Sequence, residues 1–451
     1  MNTGAICVIR VLSELKMKYY STKNKNYKVS FRDAVLTGIS PDGGLFMPEE
    51  ISEFDANFFK NISELSLKEI AFGVSEKLFG SDIKTSDLEK IVNASITFDA
   101  PLVQISCNIN VFELFHGPTL AFKDFGARFM ANTISYLNHN SDKEVNILVA
   151  TSGDTGSAVA NGFYKVDGIN VILLYPSEKV SKIQEQQLTT LGENITALEI
   201  LGTFDDCQAL VKKAFADQEL NSKMTLSSAN SINIARLLPQ SFYYFNAFAR
   251  VKDKNLPTVI SVPSGNFGNL TAGLIAKKMG LPVKKFIAAT NSNDVFTKYI
   301  DTSVFQSKPS VKTLSNAMDV GNPSNFVRIL DLYNHDHQRV KEDIYSKSFS
   351  DEETVQAIKE VYSNYNYLID PHGAVGFLAL KDYVAETANK NINGVVVETA
   401  HHSKFADIVE NVLNIKVEIP ERLAKCLTKE KQSIKISKRY NDFREFLLNT
   451  K

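Results

Sequence analysis

Between residues 145 and 290 the sequence alternates between short apolar runs and longer segments of helical character. The runs "VNILVAT" (145–151), "INVILLYP", "ITALEI", "TVISVP" and "KKFIAAT" (284–290) are short, and most are rich in β-branched residues. Between them lie "SAVANGFYKV", "SKIQEQQLTTLG" and "FDDCQALVKKAFADQ". Strands alternating with helices of this length are joined as parallel sheets, because a parallel pair needs a long crossover. The chain is therefore expected to be α/β. A further apolar run, "GVVV", precedes "ETAHHSKF" near residue 400, while 296–390 reads as helical and loop-rich. There are no internal repeats or low-complexity tracts.

Ahead of this region, residues 19–100 read as mostly helical. "NISELSLKEIAFGVSEKLF" carries apolar residues at helical spacing, and Ser86 and Glu89 in "SDLEKIVNASI" have the order of a capping box. "GISPDGGLFMP" is a turn segment. The expected division is an N-terminal domain over 17–100, a large α/β domain from 101–142 and 251–451, and a smaller α/β domain over 143–250. Residues 1–16 form an extension, read as an added helical turn or a disordered stretch.

Several function classes fall away on composition. A net charge of -1 and a pI of about 6.7 leave no general nucleic-acid footprint. The lysine-rich "KCLTKEKQSIKISKR" is read as a solvated helix face or tail. Cys7, Cys107, Cys207 and Cys426 make no C-x-x-C pair, so neither a zinc site nor a disulfide framework is indicated, and a reducing, cytoplasmic setting fits. No apolar run reaches the roughly 20 residues of a membrane helix. The first residues lack a basic leader and cleavage site, so no signal peptide is expected. The seven histidines form no H-E-x-x-H, and no metal is expected.

Chemistry is expected in the loops beyond the carboxyl ends of the parallel strands. In "SVPSGNFGNLTAG", Gly265, Asn266, Phe267, Gly268 and Asn269 lie between a strand and a helix. Glycines there let backbone N–H groups converge on an anion at a helix N-terminus. Neither the nucleotide P-loop nor the dinucleotide fingerprint is present. "TSGDTG", with Ser152, Asp154 and Thr155, has the same grammar and reads equally well as a helix cap. "ETAHHSKF" contributes Thr399 and Lys404. Lys123 stands in the apolar run "FHGPTLAFKDFG". It is either a lysine that snorkels to solvent or an amine made nucleophilic by desolvation. Such an amine beside a phosphate cradle fits pyridoxal 5'-phosphate.

The ordered series "KYYSTKN", "SPDGGLFMP", "FHGPTLAFKDFG", "TSGDTGSA", "SSANSINIARLLPQ", "PSGNFGN", "MDVGNPSNF" and "ETAHHSKF" resembles the threonine synthases, in the longer fungal and bacterial form. The resemblance runs from about Met17 to the last residues. It implies the fold type II architecture of pyridoxal-phosphate enzymes, like tryptophan synthase β: two open parallel-sheet α/β domains plus a mixed N-terminal domain. The implied reaction takes O-phospho-L-homoserine and water to L-threonine and phosphate, by a carbon–oxygen lyase acting on a phosphate ester. It also implies a small-molecule substrate, no nucleic acid or membrane partner, and a monomer or homodimer.

Residue by residue, the resemblance places Lys123 at the cofactor, Gly265–Asn269 around its phosphate, and Thr399 beside the pyridine nitrogen. Ser152, Asp154 and Thr155 fall near the substrate, as do Asn230, Ser231, Asn233 and Arg236 of "SSANSINIAR". Asn316, Asn322 and Lys404 complete the substrate-side candidates. One departure is visible: the family's "TAHPAKF" reads "TAHHSKF", with His402 and Ser403 replacing Pro and Ala. Rival readings are a threonine or serine dehydratase, a phospho-lyase of the same family type, and a non-catalytic relative.

Overall fold

The computed structural model describes residues 16–139, 143–151 and 153–449. Apart from Lys16, the N-terminal extension lies outside them. Three short antiparallel strands open the chain: β1 (Tyr19–Ser21), β2 (Asn24–Val29) and β3 (Phe46–Pro48), in the order β2-β1-β3. The turn "SPDGG" allows β3 to reach β1. A Cβ on Gly44 would lie 2.0 Å from Ser21 Oγ, so only glycine fits this approach.

Helices follow, as the periodicity predicts. Leu67–Phe79 opens with a capping box between Ser66 and Glu69 and buries Ile70, Ala71, Val74 and Leu78. The box expected at Ser86 and Glu89 does not form. That helix already begins at Thr85, with Lys84 before it and no side-chain cap. Ser86 is thus inside the first turn, and burial of Leu88, Ile91 and Val92 sets the helix phase instead.

The remaining strands are β4 (Leu102–Gln104), β5 (Ile109–Glu113), β6 (Val145–Ala150), β7 (Ile169–Pro176), β8 (Ile195–Leu201), β9 (Thr225–Ser228), β10 (Thr258–Pro263), β11 (Val283–Thr290), β12 (Ile344–Ser348), β13 (Asn393–Glu398) and β14 (Ile434–Ser437). They form a six-stranded sheet, β12-β11-β10-β13-β5-β4, and a five-stranded sheet, β14-β8-β7-β6-β9. All pairings are parallel except β4 with β5. β6, β10 and β13 are buried along their whole length, which is why they read as unbroken apolar runs.

Three expectations change. The 296–390 span contains β12, and "IKIS" within the lysine-rich segment is a strand, not a helix face or tail. β14 pairs with β8, so the chain's end returns to the five-stranded sheet and does not stay with the larger one. Lys431 ties this return down by ion pairs of 2.7 Å to both Glu185 and Glu199. No helix among the described residues is long and apolar enough to cross a membrane.

Candidate active site

Lys123 is the first residue of the helix Lys123–Asn138, reached from the carboxyl end of β5. The intervening loop is laced to the loop that leaves β13. Leu114 N donates to Glu398 O at 3.0 Å, Phe122 N to Thr399 O at 2.9 Å, and His401 N to Leu120 O at 3.1 Å. Leu120 takes a left-handed conformation, φ 59°, to make this turn. Asp124 is buried and committed to the same loop. Its carboxylate accepts from Thr119 N at 2.8 Å and Thr119 Oγ1 at 2.7 Å, so it is not the partner of Lys123. No hydrogen bond or ion pair holds Lys123 Nζ among the described residues, and its closest aromatic neighbour is Phe122, 4.6 Å from the ring centroid. Burial lowers the Lys123 pKa below its ordinary value. Asp154 opposes that shift, and the charges of Lys404 and Arg236 add to it.

Asp154 begins the helix that follows β6, and Lys404 lies in the 3-10 turn His402–Phe405 after β13. They meet at 2.7 Å with both side chains buried, joining the carboxyl edges of the two parallel sheets. Lys404 Nζ also donates to Thr119 O at 3.0 Å, and Gln184 Nε2 donates to Asp154 Oδ1 at 3.1 Å. Burial pushes the Asp154 carboxyl up, but the charges of Lys404 and Lys123 outweigh it and hold the group well below the usual carboxylate range. The negative charge of Asp154 is therefore answered by two cations. Ser152 lies outside the described residues. Thr155 is half-buried, and its hydroxyl has no hydrogen-bond partner among them.

Beyond β10 the chain turns through Ser264–Phe267 into the helix Gly268–Lys278, with Phe267 left-handed at φ 58°. Among the described residues, none of the five backbone N–H groups from Gly265 to Asn269 meets a hydrogen-bond acceptor. Asn269 is buried. Its Oδ1 accepts from Tyr243 and Tyr244, each at 2.5 Å, while its Nδ2 has no partner. Buried donors without acceptors at a helix N-terminus suit an anion. Thr399, at the end of β13, is also buried, and its hydroxyl makes no hydrogen bond among the described residues.

The remaining candidates divide. Asn230 Nδ2 reaches Ala150 O at 3.3 Å, and Ser231 Oγ accepts from Asn266 Nδ2 at 2.9 Å, which brings these residues to the same loops. Arg236 is buried. Its Nη1 donates to Ala229 O at 2.7 Å, and its Nε has no partner. Asn233 is spent on structure: Nδ2 donates to Val35 O and Ser228 O, and Oδ1 caps the next helix through Ala235 N. Asn316 and Asn322 are exposed.

The family model described as pyridoxal-phosphate dependent enzyme matches residues 102–399. Models for the threonine synthase N terminus and C-terminal region match 18–96 and 373–447. Threonine synthase from Haemophilus influenzae is 45% identical, over 91% of this chain and 94% of that one. The chain belongs to the threonine synthase family. Among solved structures, threonine synthase from Escherichia coli has 41% identity and a TM-score of 0.90, over 96% of this chain and all of that one. A pyridoxal-phosphate-bound threonine synthase from Brucella melitensis has 34% identity and a TM-score of 0.88, over 96% and 99% of the two chains.

The cofactor of this family is pyridoxal phosphate, and the residues present fit it. An unengaged amine, a row of five backbone donors, the unpaired Asn269 amide and the free Thr399 hydroxyl are the groups its aldehyde, phosphate and ring nitrogen require. Sequence reasoning missed the supports around threonine synthase motifs. Asn325 and Arg328 brace Ser231 and Asn266. Glu398, Asp370 and His372 form a buried chain: Asp370 N donates to Glu398 Oε1 at 2.8 Å, and His372 Nδ1 lies 2.6 Å from Asp370 Oδ1. Ala317 N donates to His372 Nε2 at 3.1 Å, so the ring's proton sits on Nδ1 and faces Asp370. The only sequence signal for these supports was a charged residue inside an apolar context, as in "NFVRIL".

Proposed function

We propose that this threonine synthase family member converts O-phospho-L-homoserine and water to L-threonine and phosphate in the cytoplasm. The observation that carries this reading is the unengaged Lys123 amine in the field of the buried Asp154–Lys404 pair, together with the open backbone donors of Gly265–Asn269. Lys123 holds the cofactor and afterwards, as a tethered amine, takes and returns protons at the substrate's Cα. When bound, pyridoxal phosphate supplies the electron sink for that proton removal. Gly265, Asn266, Phe267, Gly268 and Asn269 hold its phosphate, and Thr399 meets its ring nitrogen with a neutral hydroxyl.

A second phosphate, on the substrate, needs its own cation. Arg236 suits that role, because its Nε is buried and unpaired, whereas the charge of Lys404 is balanced by Asp154. Asp154, Thr155, Asn230 and Ser231 surround the substrate in this reading, and Asn316 and Asn322 approach it from the facing loop. Asn233 drops out because its amide is fully engaged. The domain division belongs to the same proposal, with β14 and the residues after it reassigned to the smaller domain. The smaller domain closes over the substrate and keeps water from the early steps.

The test is Lys123→Ala. The wild type should show the visible absorbance of a lysine-bound cofactor and release threonine from O-phosphohomoserine. The variant should lose both. An unchanged band with full turnover refutes the assignment of Lys123, and a keto acid as the wild-type product points instead to a phospho-lyase.

A further inference from the structure

Arg328, on the helix Phe326–Leu332, is fully buried, yet no carboxylate pairs with it among the described residues. All its acceptors are neutral. Nε and Nη2 donate to Phe46 O at 3.2 and 3.0 Å, and Nη2 also to Ile232 O at 2.7 Å. Nη1 donates to Ser231 O at 2.9 Å and to Asn325 Oδ1 at 2.8 Å. A buried guanidinium without a counter-ion is costly, and the cost falls if an anion binds nearby.

The hydrogen bonds also have a direction. Because Asn325 Oδ1 accepts from Arg328, Asn325 Nδ2 must be the donor, and it reaches Ser231 Oγ at 3.0 Å and Asn266 O at 3.1 Å. The Asn266 amide is oriented likewise. Its Oδ1 accepts from Ser324 N at 2.6 Å, and its Nδ2 donates to Ser231 Oγ at 2.9 Å. Both lone pairs of Ser231 Oγ are thereby taken, so its proton is left to donate. No acceptor for that proton exists among the described residues. Ser231 also abuts the phosphate loop: a Cβ on Gly268 would lie 2.9 Å from Ser231 Cβ.

We propose that Arg328 is a positioning residue that compels Ser231 to donate its hydroxyl proton to a phosphate monoester at the Gly265–Asn269 loop. The dianion in turn balances the buried charge of Arg328. This rests on the reading of the loop given above. The phosphate belongs either to the cofactor or to the substrate, and the test separates the two.

Full-length apoenzyme, as wild type, Ser231→Ala and Arg328→Met, is titrated with pyridoxal phosphate and with pyridoxal, following the absorbance of the lysine adduct. The KM for O-phosphohomoserine is measured on the holoenzymes. A loss of about tenfold in affinity for pyridoxal phosphate, with pyridoxal unaffected, assigns the donor to the cofactor phosphate. Unchanged affinity for both aldehydes, with KM raised about tenfold and kcat held, assigns it to the substrate phosphate. Equal weakening of both aldehydes, or no change in binding or KM, overturns the proposal. If Arg328→Met does not fold, Ser231→Ala decides alone, since it leaves the arginine in place. Inorganic phosphate titrated calorimetrically into wild type and Ser231→Ala tests the donor without relying on Lys123. Affinity should fall about tenfold in the variant, and equal affinity overturns the proposal. A wild type that takes up neither aldehyde refutes the Lys123 reading separately.

Discussion

Replacing Asp154 by asparagine probes the contact that joins the two parallel sheets. The substitution keeps the shape of the side chain and removes its charge, leaving Lys404 buried with no carboxylate at its 2.7 Å contact. At that distance, and an effective dielectric constant of about 20, the lost attraction is about 6 kcal/mol. Lys404 keeps its 3.0 Å hydrogen bond to Thr119 O, and the new amide oxygen still accepts, so part of the loss is recovered. Removing one partner of a buried pair typically costs about 3–5 kcal/mol, and that is the expected loss of stability at neutral pH. Urea unfolding of the apoenzyme measures it, with Lys404→Met and the double variant completing the cycle. The double variant should cost at least about 2 kcal/mol less than the sum of the single variants. A coupling below about 0.5 kcal/mol would refute the claim that the two charges sustain each other. The pH dependence has a fixed sign. Asp154 has a lowered folded-state pKa, so its contribution is complete above about pH 4 and is lost as pH falls below that. The Asp154→Asn curve should lack this loss.

Glu398 behaves oppositely. Burial, and then the charge of Asp370, raise its carboxyl well above the ordinary value, so the folded protein keeps the proton that the unfolded chain releases. Its contribution to stability is therefore greatest below about pH 4 and declines as pH rises from there. Glu398→Gln, which mimics the protonated form, should gain stability relative to wild type between pH 5 and pH 8, measured by urea midpoints; a relative loss over that range contradicts a protonated Glu398. Gly268→Ala would place a methyl group 2.9 Å from Ser231 Cβ and 3.3 Å from Asn325 Nδ2. Pyridoxal phosphate affinity should fall about tenfold by absorbance titration, and the overpacking should cost about 1–3 kcal/mol in urea unfolding; unaltered affinity refutes the close packing of this loop.

The parallel-sheet architecture was legible because strands such as "TVISVP" and "GVVV" are buried on both faces and announce themselves as apolar runs. Within the two large sheets, the strands that were missed, apart from β5, lie at the edges: β4, β9, β12 and β14. An edge strand has one neighbour and tolerates polar residues, so "TLSS", "IYSKS" and "IKIS" carry little signal. Lys123, the Gly265–Asn269 loop and Thr399 could be proposed from the sequence because their chemistry is local. A lysine in apolar company and a glycine turn after a strand are visible in a few consecutive residues. Asp124 and Lys123, adjacent in sequence, diverge in a strand and in a helix alike, and the bonds of Asp124 to Thr119 show where it goes.

Sequence by itself thus determined the fold class and the family resemblance, and it supplied the residues proposed to carry the cofactor chemistry, since each depends on periodicity or on residues close together in the chain. Only the tertiary structure decided which side chains are free to act. Asn233 reads as a site residue, yet its amide is bound to Val35, Ser228 and Ala235, whereas Arg328, not singled out in the sequence, holds Ser231 and Asn325 in place. The role of Asp154 turned on Lys404, 250 residues further along the chain, which comes within 2.7 Å of it. Whether a polar group is available depends on what has already satisfied its donors and acceptors. Those partners are set by packing between segments remote in sequence, so no local pattern records them.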